Sequence, residues 1–210
     1  MSGWSQVEAV LDGILARRWY TNQGPIAQQL EAQVAALYGV RHAVVATNPT
    51  IALIMLMEGM GLRGRILVSP EAPARCVQAA RWAGLEPVVH PLDADLPALD
   101  GVSAMLLSDN DPATPTSWAS ELGLALLRDG AGGQFVPEVV RLGGHGEAAG
   151  VGCILTGDDL LAARLRNIRS SYGSGPTVPV VRTANGRVSE PQAALALLGL
   201  EFNDYNTSYP

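Results

Sequence analysis

Residues 21–53 read TNQGPIAQQLEAQVAALYGVRHAVVATNPTIAL. This stretch decides the fold because it places a helix, a strand and a second helix in direct succession. Pro25 opens the first helix, since a proline's missing N–H is one that the first turn leaves unpaired anyway. Gly39 stops that helix. HAVVA (42–46) is a short, continuously apolar run of strand length. TNPT (47–50) is a turn, and Pro49 opens the next helix, through IALIMLMEGM.

The same alternation extends in both directions. Upstream, Val7, Val10, Leu11, Ile14 and Leu15 have the spacing of one helix face. Downstream, RILVS (65–69), EPVVHPL (86–92), VSAMLLS (102–108), LALLRD (124–129), VPEVVRL (136–142) and VGCILTG (151–157) read as strands. APARCVQAARWAG is a helix ended by Gly84, and SWASELG is one that closes on Gly123. DDLLAARLRNIRSSYG is a helix capped by Asp158 or Asp159, and SEPQAALALLGLE begins another. The tail FNDYNTSYP (202–210) is expected to fray or to pack on a partner. Strands alternating with helices predict an α/β fold: three layers around a mostly parallel sheet, in a single domain over 1–210. Ligands of such sheets lie at the carboxyl ends of the strands. The turns to inspect are therefore TNPT, SPEAP, SDNDP, DGAGG and the glycine-rich LGGHGEAAGVG (142–152).

Composition narrows the function classes. A formal charge of −6 argues against a nucleic-acid groove, which needs clustered cations. The longest apolar run, IALIMLM, is far short of the ~20 residues of a membrane span. The amino-terminal stretch lacks the pattern of a signal peptide. Cys76 and Cys153 match no metal spacing and read as buried thiols, so a reducing, cytoplasmic location is expected. All fourteen basic residues are arginines, so the chain contains no lysine. A GC-rich coding sequence accounts for missing surface lysines, but not for the loss of one that chemistry requires.

Five segments, in order, resemble the DegT/DnrJ/EryC1/StrS sugar aminotransferases. TNQGP, the helix after it and GVRHAVVATNPT are similar to the family's TNGGP-like turn, its GV-K-HAV strand and its Ser-Gly-Thr phosphate turn. AGLEPVVHPLDAD resembles AGATPVFVDID, and LALLRDGAGG resembles the strand ending in the acidic residue that pairs with the cofactor's pyridine nitrogen. VGCILTGDDLLAARLRNIRSSYG and NGRVSEPQAALAL resemble GGAVVTDDEELAERLRRLRNHG and NYRMSELQAALGL. The likeness runs from Thr21 to about Leu200. It implies the large domain of fold-type I transferases, which use pyridoxal phosphate (PLP), with the C-terminal small domain missing. It also implies a homodimer.

The departures touch the chemistry. The Schiff-base lysine is expected near Gly144 or His145, and none stands there. PLP catalysis needs an amine to form an imine, which arginine, always protonated, does not supply. Pro49 stands where the family has a glycine of the phosphate cradle, and SPEAPARC lacks the aromatic residue that stacks on the ring. No cofactor and no metal is therefore expected.

His145 is the candidate general acid/base, in the loop of the vacated lysine, with Asp129 or Glu147 to orient it. Tyr20, Asn22, Asn48, Thr50, Asp109 and Arg187 are candidate substrate contacts. Residues 144–149 also fit a loose G-x-G-x-x-A dinucleotide pattern, a weak signal so late in the chain. His42 reads as structural, and His90, Asp93 and Asp95 as strand-end polar residues rather than ligands. Two functions follow. One is a PLP-independent, repurposed enzyme performing cyclisation, isomerisation or dehydration on a small intermediate of specialised metabolism. The other is a non-catalytic partner, a heterodimer subunit of a full-length aminotransferase or a ligand-binding subunit.

Overall fold

A computed structural model describes residues 3–91, 100–108, 122–130, 137–142, 150–170 and 177–206. The helices are α1 (Gly3–Arg17), α2 (Pro25–Tyr38), α3 (Pro49–Gly59), α4 (Ala74–Trp82), α5 (Asp159–Ile168) and α6 (Glu190–Asn206). The strands are β1 (His42–Ala46), β2 (Arg65–Val68), β3 (Glu86–Val89), β4 (Val102–Ser108), β5 (Ala125–Asp129), β6 (Glu138–Leu142) and β7 (Val151–Thr156). The expected boundaries hold to within a few residues, with one extension. α6 continues through Asn206, into the stretch expected to fray. The expected helix over 117–123 falls mostly outside the described residues.

The strands form one sheet in the order β1-β7-β6-β5-β4-β2-β3. β7 is antiparallel to both its neighbours, and the other pairs are parallel. Alternate residues of the strands feed two cores. Val44, Ala46, Ile66, Val68, Leu106, Leu127 and Ile154 pack under α3, α4 and α5. Ala43, Val45, Val140, Leu142, Cys153 and Leu155 pack under α1, α2 and α6. The result is the expected three-layer arrangement with a mostly parallel sheet.

Local chemistry sets the ends of the elements as the residues predict. Gly39 closes α2 at φ 64°, a left-handed conformation that a side chain disfavours. Asp158, not Asp159, caps α5, its carboxylate accepting from the Leu160 and Leu161 amides. Both cysteines are fully buried. Burial pushes the Cys153 thiol well above its ordinary range, and nearby Glu31 pushes it further.

Strand β1 lies at the sheet edge, where unpaired peptide groups are a liability. Here the edge is closed by side chains. The Val45 amide donates to Glu31 Oε1 (3.0 Å), and the Val45 carbonyl accepts from Arg169 Nη1 (2.7 Å). Arg169 also donates to Glu31 (2.6 Å) and to Gln23 Oε1, and Gln23 donates to Glu31 Oε2 (2.6 Å). One buried polar network thus ties the turn before α2, α2 itself, β1 and the end of α5.

Candidate functional site

The carboxyl ends of β1, β2, β4, β5 and β6 lie along one edge of the sheet, together with the amino end of the reversed β7. The turns singled out from the sequence leave the sheet there. That edge is the candidate cleft.

Asp129 is the last residue of β5, in register with Ser108 of β4. Its side chain is 2% exposed. It does not stand ready for a ligand: Arg75 Nη2 lies 2.8 Å from its Oδ2, and the Cys76 thiol donates to the same oxygen at 3.2 Å. Both partners come from the first turn of α4. That helix follows β2, two strands away, so Arg75 reaches across β4 to the end of β5. Arg75 is 26% exposed, and its Nε is buried with no partner among the described residues.

The Thr47–Thr50 turn is likewise engaged by its own chain. The Asn48 side chain, a candidate substrate contact, accepts from the Ile51 amide at 2.8 Å and so caps α3. Pro49, the first residue of α3, has no N–H. Of the first three positions of α3, only Thr50 keeps an amide uncommitted to the cap, beside its half-buried hydroxyl. The turn sits tightly on β7. A Cβ added at Gly152 would meet the Asn48 carbonyl oxygen at 2.5 Å and Pro49 Cα at 2.8 Å.

A second pair of segments docks nearby. The Thr47 amide donates to the Gly186 carbonyl, which seats Arg187, half-buried, beside this turn. Tyr20, 50% exposed, accepts from the Glu190 amide through its carbonyl. Asn22 and Gln23 both take positive φ (63° and 60°), which non-glycine residues seldom adopt. Fully buried Glu190 accepts from the Ile26 and Ala27 amides (2.9 and 3.0 Å) and so caps α2 from a distant segment. A Cβ at Gly24 would collide with that carboxylate at 2.5 Å.

Three of the candidate residues, His145, Glu147 and Asp109, lie outside the described residues, as do Asp93 and Asp95. The dinucleotide-like stretch 144–149 falls there too. Of the other two histidines, His42 opens β1 at the opposite edge of the sheet, and His90 follows the carboxyl end of the outermost strand, β3. His42 bonds Asp159 at 2.7 Å, and Arg41 pairs with the same carboxylate at 2.8 Å. The His42 hydrogen bond, then Arg41, holds the Asp159 carboxyl below its ordinary range. His90 Nδ1 bonds the Pro91 carbonyl at 2.7 Å. Among the described residues no group of three or more His, Cys, Asp or Glu could hold a metal. Among them, too, no helix is long and apolar enough to cross a membrane.

Sequence reasoning did not anticipate Arg75, Glu31, Arg169 or Glu190. A signal for the network does exist. Glu31 stands on the apolar stripe of α2 with Ala27, Leu30 and Val34, and Arg169 stands four residues after Leu165 on the buried face of α5. Opposite charges at apolar positions of two helix stripes indicate a buried pair. Arg75 has no comparable signal, since only the sheet order brings α4 to β5.

Comparison with known proteins agrees with this geometry. Residues 5–104 match the profile of the DegT/DnrJ/EryC1/StrS aminotransferase family. A dTDP-4-amino-4,6-dideoxy-D-glucose transaminase of Escherichia coli is 33% identical over 85 residues, 40% of this chain and 23% of that protein. The transaminase of the same name from Shigella dysenteriae is 30% identical over 83 residues. Among solved structures, DesI with its TDP-sugar product superposes with a TM-score of 0.81 at 28% identity, covering 96% of this chain and 59% of DesI. The GDP-4-keto-6-deoxymannose-3-dehydratase ColD, with bound GDP-perosamine, reaches 0.74 at 18% identity, covering 96% of this chain and 67% of ColD. The chain thus spans about three-fifths of DesI, and its matched stretch under a quarter of the curated transaminases. Over residues 5–104 the chain is similar to the DegT/DnrJ/EryC1/StrS aminotransferase family, and over nearly its whole length it shares the fold of DesI.

Proposed function

We propose that this chain is a repurposed, PLP-independent member of the DegT/DnrJ/EryC1/StrS aminotransferase family. It acts as an acid/base catalyst for cyclisation, isomerisation or dehydration of a small intermediate of specialised metabolism. The observation that carries the reading is Asp129, the carboxylate that the resemblance assigns to a pyridinium: its Oδ2 already holds Arg75 and Cys76. The other residues do not fit PLP either. The chain has no lysine for an imine, and Pro49 and the Asn48 cap leave little of an amide cradle for a phosphate. No step is therefore assigned to that group.

His145 serves as the acid/base, with Glu147 two residues on to orient it. Asp129 moves from an orienting role on the histidine to a positioning role on Arg75. Thr50, Arg187, Tyr20, Asn22 and Asp109 supply substrate contacts, with Asn48 holding the turn that carries Thr50. The protein works in the cytoplasm as a homodimer, without nucleic-acid or membrane partners. ColD, a dehydratase by name, shares the fold.

The test is genetic. The gene is deleted in its source organism and restored as wild type or as His145→Ala, with soluble protein matched. Accumulation of an intermediate that only the wild-type copy clears supports the reading. Clearance by the alanine copy defeats it. A second reading, a non-catalytic subunit paired with a full-length aminotransferase, draws on exposed Trp4, Leu15, Trp19 and Tyr20 around α1. Co-purification with a lysine-bearing paralogue would favour it.

A further inference from the structure

We infer that Arg75 is an oxyanion-binding residue of the cleft and takes a carboxylate or phosphate group of the ligand. The inference deepens the reading above, since it names the charge class of the ligand at that same edge. A guanidinium presents five donors in a rigid fork. Asp129 takes one of them, at Nη2, from a position almost wholly buried, and so fixes the group in place. Nε lies buried without an acceptor among the described residues, and a buried donor left so is rare. The part of the side chain that remains exposed lies at the sheet edge where the β1, β2, β4 and β5 turns emerge. Arg75 also occupies the first turn of α4, where peptide dipoles favour negative charge.

The consequence is an inversion of the site's preference. In the family pattern the acidic residue at this strand end faces a cationic ring. Here the chain supplies that cation itself, and the outward face of the pair is positive in character. Arg–oxyanion contacts are planar and often bidentate, so both affinity and orientation come from one side chain. Because Asp129 holds the fork beforehand, little side-chain freedom remains to be lost on binding.

The wild-type protein is modified with phenylglyoxal, an arginine reagent, in chloride buffer, alone and with millimolar inorganic phosphate or succinate. Labelled peptides are quantified by mass spectrometry. Arg182, 56% exposed, reports reagent activity, and Arg169, 1% exposed, reports integrity of the fold. We expect phosphate or succinate to slow modification of Arg75 at least about tenfold relative to Arg182, and the better protector names the group. Titration calorimetry with that anion should weaken at least about tenfold in Arg75→Gln. Equal labelling of Arg75 with and without both anions overturns the inference, as does unchanged affinity in the variant. The two readings fail separately. An unprotected Arg75 beside a His145→Ala copy that cannot clear the intermediate removes the anion site and leaves the catalyst. A protected Arg75 beside a His145→Ala copy that clears it does the reverse.

Discussion

The buried Arg169–Glu31 pair makes the most quantitative claim about stability. Arg169→Met keeps most of the side-chain volume and removes the cation. Glu31 then retains hydrogen bonds from Gln23 and the Val45 amide but loses its charge partner, and the Val45 carbonyl loses its donor. Breaking a buried pair by removing one member costs about 3–5 kcal/mol. Arg166, 3.9 Å from Glu31 Oε2, offsets part of the exposed charge imbalance, which places the expectation near about 3 kcal/mol. For a domain of this size that lowers Tm by roughly 6–12 °C. Adding Glu31→Gln removes the stranded charge and should return about 1–2 kcal/mol, so the double variant is more stable than Arg169→Met alone. Urea unfolding followed by tryptophan fluorescence and circular dichroism measures all four species. An Arg169→Met change within about 1 kcal/mol of wild type would refute the reasoning, as would a double variant weaker than the single.

Three further outcomes are expected. Gly152→Ala should destabilise by about 1–3 kcal/mol or more in the same urea assay, because the atoms it meets are backbone of the Asn48–Pro49 turn and cannot rotate away. Glu190→Gln keeps one acceptor for two amides and should cost about 1–2 kcal/mol, with hydrogen exchange at Ile26 and Ala27 accelerating first. Asp159 has a carboxyl held below its ordinary range by His42 and Arg41, so its contribution is present above the unfolded value and fades as pH falls through the lowered one. Asp159→Asn should therefore lower Tm near neutrality and leave it unchanged in strong acid; an equal Tm difference at both pH values would refute this.

Much of the architecture could be read from the chain. Pro25, Gly39, Pro49 and Asp158 act within a few residues of themselves, so helix starts and stops were visible as residue types. The run of apolar strands between helices required a buried, mostly parallel sheet, because such strands must be covered on both faces. The missing lysine was equally plain, since composition alone establishes it.

What the sequence could not supply is set by distance along the chain. Asp129 lies 53 residues from Cys76 and one more from Arg75, and only the strand order β5-β4-β2 carries α4 to the end of β5. Read from sequence, Asp129 was a carboxylate available to a histidine; in the fold its Oδ2 is committed to a guanidinium. Asn48 looked like a ligand contact and instead spends its side chain on the Ile51 amide. Glu31 and Arg169, 138 residues apart, close the open edge of β1, because a peptide group buried at a sheet edge must find a partner wherever the fold brings one near. Local residue chemistry determined where each element begins and ends. Which charges meet, and therefore which remain for a ligand, was decided only when the sheet was ordered.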